Sequence, residues 1–116
     1  MMLRGEIRVV VFDPARSGEA DKRRPAVIVS NDGANATAAR LGRGVITVVP
    51  VTSSIERVYS FQVLLPAPDT GLDRDSKAQA EQVRSLSVER IFGKVGTVPP
   101  TLMAHIDETV RLHLGL

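Results

Sequence analysis

The 116-residue chain has no cysteine and no tryptophan, and three phenylalanines with one tyrosine are its only aromatic residues. Without cysteine, disulfides and thiolate metal sites are excluded, and the chain needs no oxidising compartment. His105 and His113 are the only histidines. On one predicted helix they stand about 12 Å apart, too far to share an ion. Asp73 and Asp75 flank Arg74 in a loop with no third ligand in view, which reads as a turn. No metal site and no cofactor are expected. No glycine-rich phosphate loop is present, and no apolar run approaches the ~20 residues that span a bilayer. Glu6 stands where a signal peptide would carry its apolar stretch. The expectation is a soluble cytoplasmic protein with no membrane contact. The formal net charge of +2 is small and points to a polyanion only weakly. Its distribution says more: Arg16, Lys22, Arg23, Arg24, Arg40 and Arg43 fall in predicted loops or at strand ends, where binding groups concentrate.

What is present is one domain's worth of chain, 1–116, with 43% apolar and 24% charged residues. That supports a single modest core. Ile7–Phe12 is an apolar run closed by Asp13-Pro14 and reads as a strand. Residues 14–23 carry no period and read as a long exposed loop. Pro25 holds Arg24 extended and opens a second strand, Ala26–Ser30. Asn31-Asp32-Gly33 is a turn signal, and the alanine-rich 34–40 segment reads as a short helical turn. Val45–Val51 is a β-branched run in which Pro50 implies an edge position or a bulge. Tyr59–Leu65 alternates as a strand, and Pro66–Arg74 reads as a loop. Ser76–Leu86 is a polar strand candidate. Ser87 heads a short turn through Arg90, and Lys94–Val98 is the last strand. Met103, Ile106, Val110 and Leu114 share one helix face, with Pro99-Pro100 before it and Gly115 after it. The fold class is mainly β: a small antiparallel β barrel closed by a C-terminal helix.

Two strand ends carry the chemistry. Arg24 stands at the mouth of one apolar strand, and Thr52-Ser53-Ser54 follows the end of another. A guanidinium is a planar, permanently charged fork that fits two phosphate oxygens. Hydroxyls beside it add donors. If the strands are neighbours, these groups converge on one phosphate. Taken singly, Arg-Pro before a strand is an ordinary solvated entry, and Thr-Ser after one is an ordinary turn.

Together they match a family. Arg4-Gly5-Glu6-Ile7, Asp13-Pro14, Glu19, Arg24-Pro25 running through Val29-Ser30-Asn31-Asp32, Val48-Val49-Pro50-Val51-Thr52-Ser53 and Glu81-Gln82-Val83-Arg84-Ser85 occur in family order and spacing. From Arg4 to about Leu112 the chain resembles the MazF/PemK toxins of bacterial type II toxin–antitoxin pairs, mycobacterial members most closely. The resemblance implies an SH3-like barrel that works as a homodimer. It implies metal-independent, sequence-selective cleavage of single-stranded RNA, leaving a 2′,3′-cyclic phosphate and a 5′-hydroxyl. A cognate MazE-like antitoxin would block the site. By motif position, Arg24 and Thr52 match the catalytic pair, and Glu19 matches a residue near the active site. Ser30, Asn31, Ser53, Glu81, Gln82 and Arg84 fall at RNA-contacting positions or beside them.

Guanidinium keeps its proton at ordinary pH, so Arg24 serves better as a charge stabiliser and hydrogen-bond donor than as a base. Glu19 is the candidate acceptor for the 2′-OH proton; its alternative is a surface carboxylate paired with Lys22 or Arg23. The chain departs from the family at Arg8, where relatives commonly carry an aromatic residue, and at Val11, where many carry Asp. Both departures fall on the first strand, away from the Arg24/Thr52 pair. With so few rings for bases to stack on, each worth ~1–3 kcal/mol, base selection leans on Asn31, Glu81 and Gln82. The alternatives are a CcdB-like poison that binds DNA gyrase without catalysis, and an inactive relative that only engages the antitoxin.

Overall fold

A computed structural model describes residues 2–13 and 22–116, with the backbone alone at Asp13 and Lys22. Seven strands form one antiparallel sheet: β1 (Glu6–Asp13), β2 (Lys22–Ile28), β3 (Val45–Thr52), β4 (Gln62–Leu65), β5 (Ser76–Gln79), β6 (Arg84–Ser87) and β7 (Ile91–Thr97). Three helices accompany them: α1 (Asp32–Leu41), α2 (Ala67–Thr70) and α3 (Pro100–Leu114). The hydrogen-bonded path runs β4-β5-β3-β2-β1-β7, and β6 adds to β3 beside it. The expected small β barrel with a C-terminal helix is therefore a curled antiparallel sheet, left open between β4 and β7.

Curling gives the sheet a core on each face. On one face Val10 and Phe12 of β1, Ala26 and Ile28 of β2, and Ile46 and Val48 of β3 pack with Met2, Ala38 of α1, Leu86 and Val88. On the other, Ile7, Val27, Val49 and Val51 pack with Val63 and Leu65 of β4, Ala78 of β5, and Met103 and Ile106 of α3. Strand alternation sends successive residues to opposite faces. The consecutive apolar residues Pro25–Ile28 of β2 and Val48–Val51 of β3 thus mark stretches covered on both sides.

Pro50 lies in the central strand β3 and is buried, not at an edge. It is tolerated because of where its neighbours stop. β6 pairs with Val45–Val48 and β5 with Val51 and Thr52. Between them Ala80–Gln82 bulges out as a 3₁₀ turn. Pro50 faces that gap, where its missing N–H leaves no ladder bond unmade. The same turn splits the expected 76–86 strand in two.

Other differences have local causes. The Asn31-Asp32-Gly33 signal is a helix start: Asn31 Oδ1 accepts from the Ala34 amide at 2.8 Å, and ten residues of helix follow. Residues that make turns also make N-caps, and here the alanines decide for helix. The strand expected from Tyr59 begins only at Gln62. Tyr59 and Phe61 stack on each other before it, with centroids 5.2 Å apart. α2 interrupts the 66–74 loop, where Asp75 Oδ1 accepts from the Ala67 amide at 2.8 Å. A Cβ at Gly96 would collide with the Thr70 carbonyl oxygen, so only glycine lets α2 dock on β7. α3 starts and stops as expected. Met103 and Ile106 are buried, but Leu112, Leu114 and Leu116 stand out in solvent.

Candidate active site

β2 and β3 are neighbours, with Ala26 opposite Pro50, Val27 opposite Val49 and Ile28 opposite Val48. Continuing that register two residues brings Arg24 across from Thr52. By alternation both share the face of Ala26, Ile28 and Val48, at the open end of that core. Adjacent strands run about 4.8 Å apart, so the two positions are near neighbours on that face.

The site extends over two more strands. β5 continues the row, with Lys77 directly opposite Thr52. Lys77 is largely buried; its ammonium donates to the Arg57 carbonyl at 2.6 Å and lies 5.8 Å from the centre of the Tyr59 ring. It thereby ties the segment after Thr52 back onto β5. Two residues on, Gln79 Oε1 accepts from Arg24 Nη2 at 3.1 Å. From β6, Arg84 opposes Val48 and reaches the same face. The Arg24 and Arg84 guanidinium carbons lie 5.7 and 5.5 Å from the centre of the Phe12 ring, within cation–π range. Arg90 donates to the Phe12 carbonyl at 3.0 Å. Phe12 is thus the apolar floor of a basic corner. Among the described residues no carboxylate lies within ion-pair distance of Arg24 or Arg84.

The other expected site residues are distributed differently. Ser53 alternates to the opposite face and lines a cleft of about 310 Å³ with Val9, Pro25, Val51, Leu72 and Arg74. The Ser30 hydroxyl bonds Asn35 and accepts from the Thr47 amide, which joins β2, α1 and β3. The Asn31 side-chain oxygen is used in the helix cap. Glu81 takes the Gln62 amide on one oxygen at 2.8 Å, while its other oxygen is buried with no hydrogen-bond partner. Gln82 is exposed on the 3₁₀ turn. Glu19 lies outside the described residues. Thr52 Oγ1 accepts from the Ser54 amide at 3.2 Å, which leaves its own hydrogen to donate.

Nothing in the sequence marks Lys77 and Gln79 as site neighbours. Their i, i+2 spacing on a strand puts them on one face, but only the pairing of β5 with β3 shows which face. The departures on β1 are structural. Arg8 donates to Glu6 Oε1 from two nitrogens, at 3.1 and 2.9 Å, and to the Phe92 carbonyl at 3.1 Å. Burial raises the Glu6 pKa, but the Leu3 amide, Arg8 and Lys94 outweigh it and hold the carboxyl below its ordinary value. Val11 is buried opposite Arg23.

Residues 3–114 match the family described as PemK-like, MazF-like toxins of type II toxin–antitoxin systems. The chain belongs to this family. It is 62% identical over 116 residues to Endoribonuclease MazF9 of Mycobacterium tuberculosis, covering all of this chain and 98% of that one. To Endoribonuclease MazF6 of the same species it is 30% identical over 113 residues, covering 97% and 96%. Among solved structures, MazF of Deinococcus radiodurans superposes with a TM-score of 0.76 at 26% identity, covering 99% of this chain and 97% of that one. A mycobacterial endoribonuclease solved with its cognate antitoxin shares the fold, with a TM-score of 0.76 at 24% identity, covering 100% and 97%. A MazE–MazF complex of D. radiodurans gives 0.74 at 26% identity, covering 99% and 96%. The expected family and fold are both present in this toxin. No described helix is long and apolar enough to cross a membrane.

Proposed function

We propose that this toxin is an endoribonuclease that cuts single-stranded RNA by transesterification and is held in check by a MazE-like antitoxin. The observation that carries this function is the antiparallel pairing of β2 with β3, Ala26 opposite Pro50, a register that faces Arg24 toward Thr52 when extended by two residues. The neighbouring 2′-OH attacks phosphorus, and the bond to the 5′-oxygen breaks. A cyclic phosphate and a 5′-hydroxyl result. As the phosphorane forms, charge gathers on the non-bridging oxygens. The Arg24 fork and the Thr52 hydroxyl are donors preset for that charge; removing one such donor costs ~10²–10³ in rate. Glu19 accepts the 2′-OH proton, and the departing 5′-oxygen, hydrogen-bonded by Arg24, takes up a proton from solvent water to become the 5′-hydroxyl. Arg84 steers the backbone, and Gln82, exposed on the 3₁₀ turn two residues before it, contacts the RNA.

Relatives named as endoribonucleases favour this function over a gyrase poison. A homodimer and an antitoxin complex complete it. Exposed Leu112, Leu114 and Leu116 at the end of α3, with Phe92 and Val95 on β7, offer apolar surface for such contacts.

The test is incubation with a long RNA of mixed sequence in EDTA, with the fragment 5′ ends mapped. Because the nucleophile is the sugar's own hydroxyl, cleavage should persist without divalent metal and leave 5′-hydroxyl ends. A substrate with a 2′-deoxy sugar at the scissile position should stay intact. Cutting of that substrate, or intact cellular RNA during growth arrest, would refute the function.

A further inference from the structure

Arg24 is held by unusual company. Arg24, the third residue of β2, is exposed, and its guanidinium donates a hydrogen bond to a neutral amide, Gln79, at 3.1 Å. The Phe12 ring lies beneath it at 5.7 Å. An arginine has donors only, so the Gln79 amide must present its oxygen. The amide therefore fixes the fork's direction without cancelling its charge. A glutamate in its place would accept the same bond, but it would neutralise the fork and compete with the phosphate for it.

The amide itself stands on firm ground. β5 pairs with β3 on one side and β4 on the other, and Gln79 is the register partner of Gln62. Gln62 is buried and tied on both ends, accepting from the Tyr59 amide at 3.2 Å and donating to Glu81 at 2.8 Å. A rigid strand is the kind of support that holds a reacting group in line.

We propose that Gln79 is a positioning residue for the reaction: it aims the Arg24 fork at the scissile phosphate while leaving its full positive charge available. The proposal rests on Arg24 acting at that phosphate. Gln79→Ala should lower single-turnover kcat about tenfold, the scale of a hydrogen bond to a charged group, with RNA affinity changed less than about threefold. Gln79→Glu should fall further and differently. Its KM should rise at least about tenfold at low salt and recover as salt screens the new charge. A merely structural role predicts the opposite order, because glutamate keeps the acceptor that alanine lacks.

The ¹⁵N relaxation of the Arg24 Nε–H group gives a readout independent of turnover. Gln79→Ala should make that group measurably more mobile while the backbone stays unchanged. Should the alanine variant not fold, Gln79→Met fills the same volume without an acceptor and carries the same expectations. Wild-type rates in the Ala (or Met) and Glu variants, or an equally rigid Arg24 in the variant without an acceptor, would overturn the proposal, provided Arg24→Ala is inactive. An Arg24→Ala variant as active as wild type would instead overturn the proposed function itself.

Discussion

Two basic clusters flank the same strand of this toxin and are built from opposite partners. On the β7 side of β1, Arg8 and Lys94 share the carboxylate of Glu6, itself only 9% exposed. On the β2 side, Arg24 and Arg84 meet an amide and a ring. The first cluster consumes its charge in the fold. The second keeps its charge for something that arrives from outside. An arginine count alone does not distinguish the two; the identity of the acceptor does. Carboxylate-held guanidinium reads as architecture, and amide-held guanidinium as a prepared anion site.

Breaking the second cluster should have the larger effect on activity. Arg24→Ala is expected to lower cleavage by ~10²–10³ in a single-turnover assay, with little change in melting temperature. Arg24→Lys should recover only part of that, because a point charge replaces a fork. Thr52→Val, which keeps the shape and removes the donor, should cost about 10² at unchanged stability.

Breaking the first cluster should move stability and leave the chemistry alone. Glu6→Gln is expected to cost about 1.5–3 kcal/mol in urea unfolding at pH 7, where the wild-type carboxylate accepts charged hydrogen bonds. The folded-state pKa of Glu6 lies below its ordinary value near 4.5. Its contribution is therefore complete above that value and disappears as pH falls through the lower, folded one. The gap between wild type and Glu6→Gln should close correspondingly in acid. The smallest effect belongs to Arg4, which grips Asp107 and the Val29 carbonyl. Its ion pair is about a third exposed (34% and 36%). Arg4→Ala should cost about 1 kcal/mol, with wild-type cleavage.

Much of this is legible before folding. Pro25 opens and Pro50 punctuates runs rich in β-branched apolar residues, and that pattern marks both β2 and β3. The prolines before α3 and Gly115 after it bound the helix. Arg24 and Thr52 stand out because they border those apolar runs, although β2 itself begins two residues earlier, at Lys22. What the sequence leaves open is which strands touch. β5 pairs with β3 although β4 and α2 lie between them in the chain, so Lys77 and Gln79 reach Thr52 and Arg24 through topology alone. The same holds for polar groups spent internally. Ser30 and Asn31 look free along the chain, yet one hydroxyl stitches three elements together and one amide oxygen caps α1. Alternation assigns a residue to a face; it cannot say what already occupies that face. Ser53 shows the converse, since alternation alone separates it from its neighbour Thr52.

The proposed function has Arg24 and Thr52 acting on one phosphate. A double-mutant cycle on the single-turnover cleavage rate, using Arg24→Ala, Thr52→Val and the pair together, tests it most directly. Groups that stabilise the same charge are strongly non-additive, so the double variant should be scarcely slower than the slower single variant. Two losses that multiply in full would mean that the two residues work independently, and would contradict a shared site.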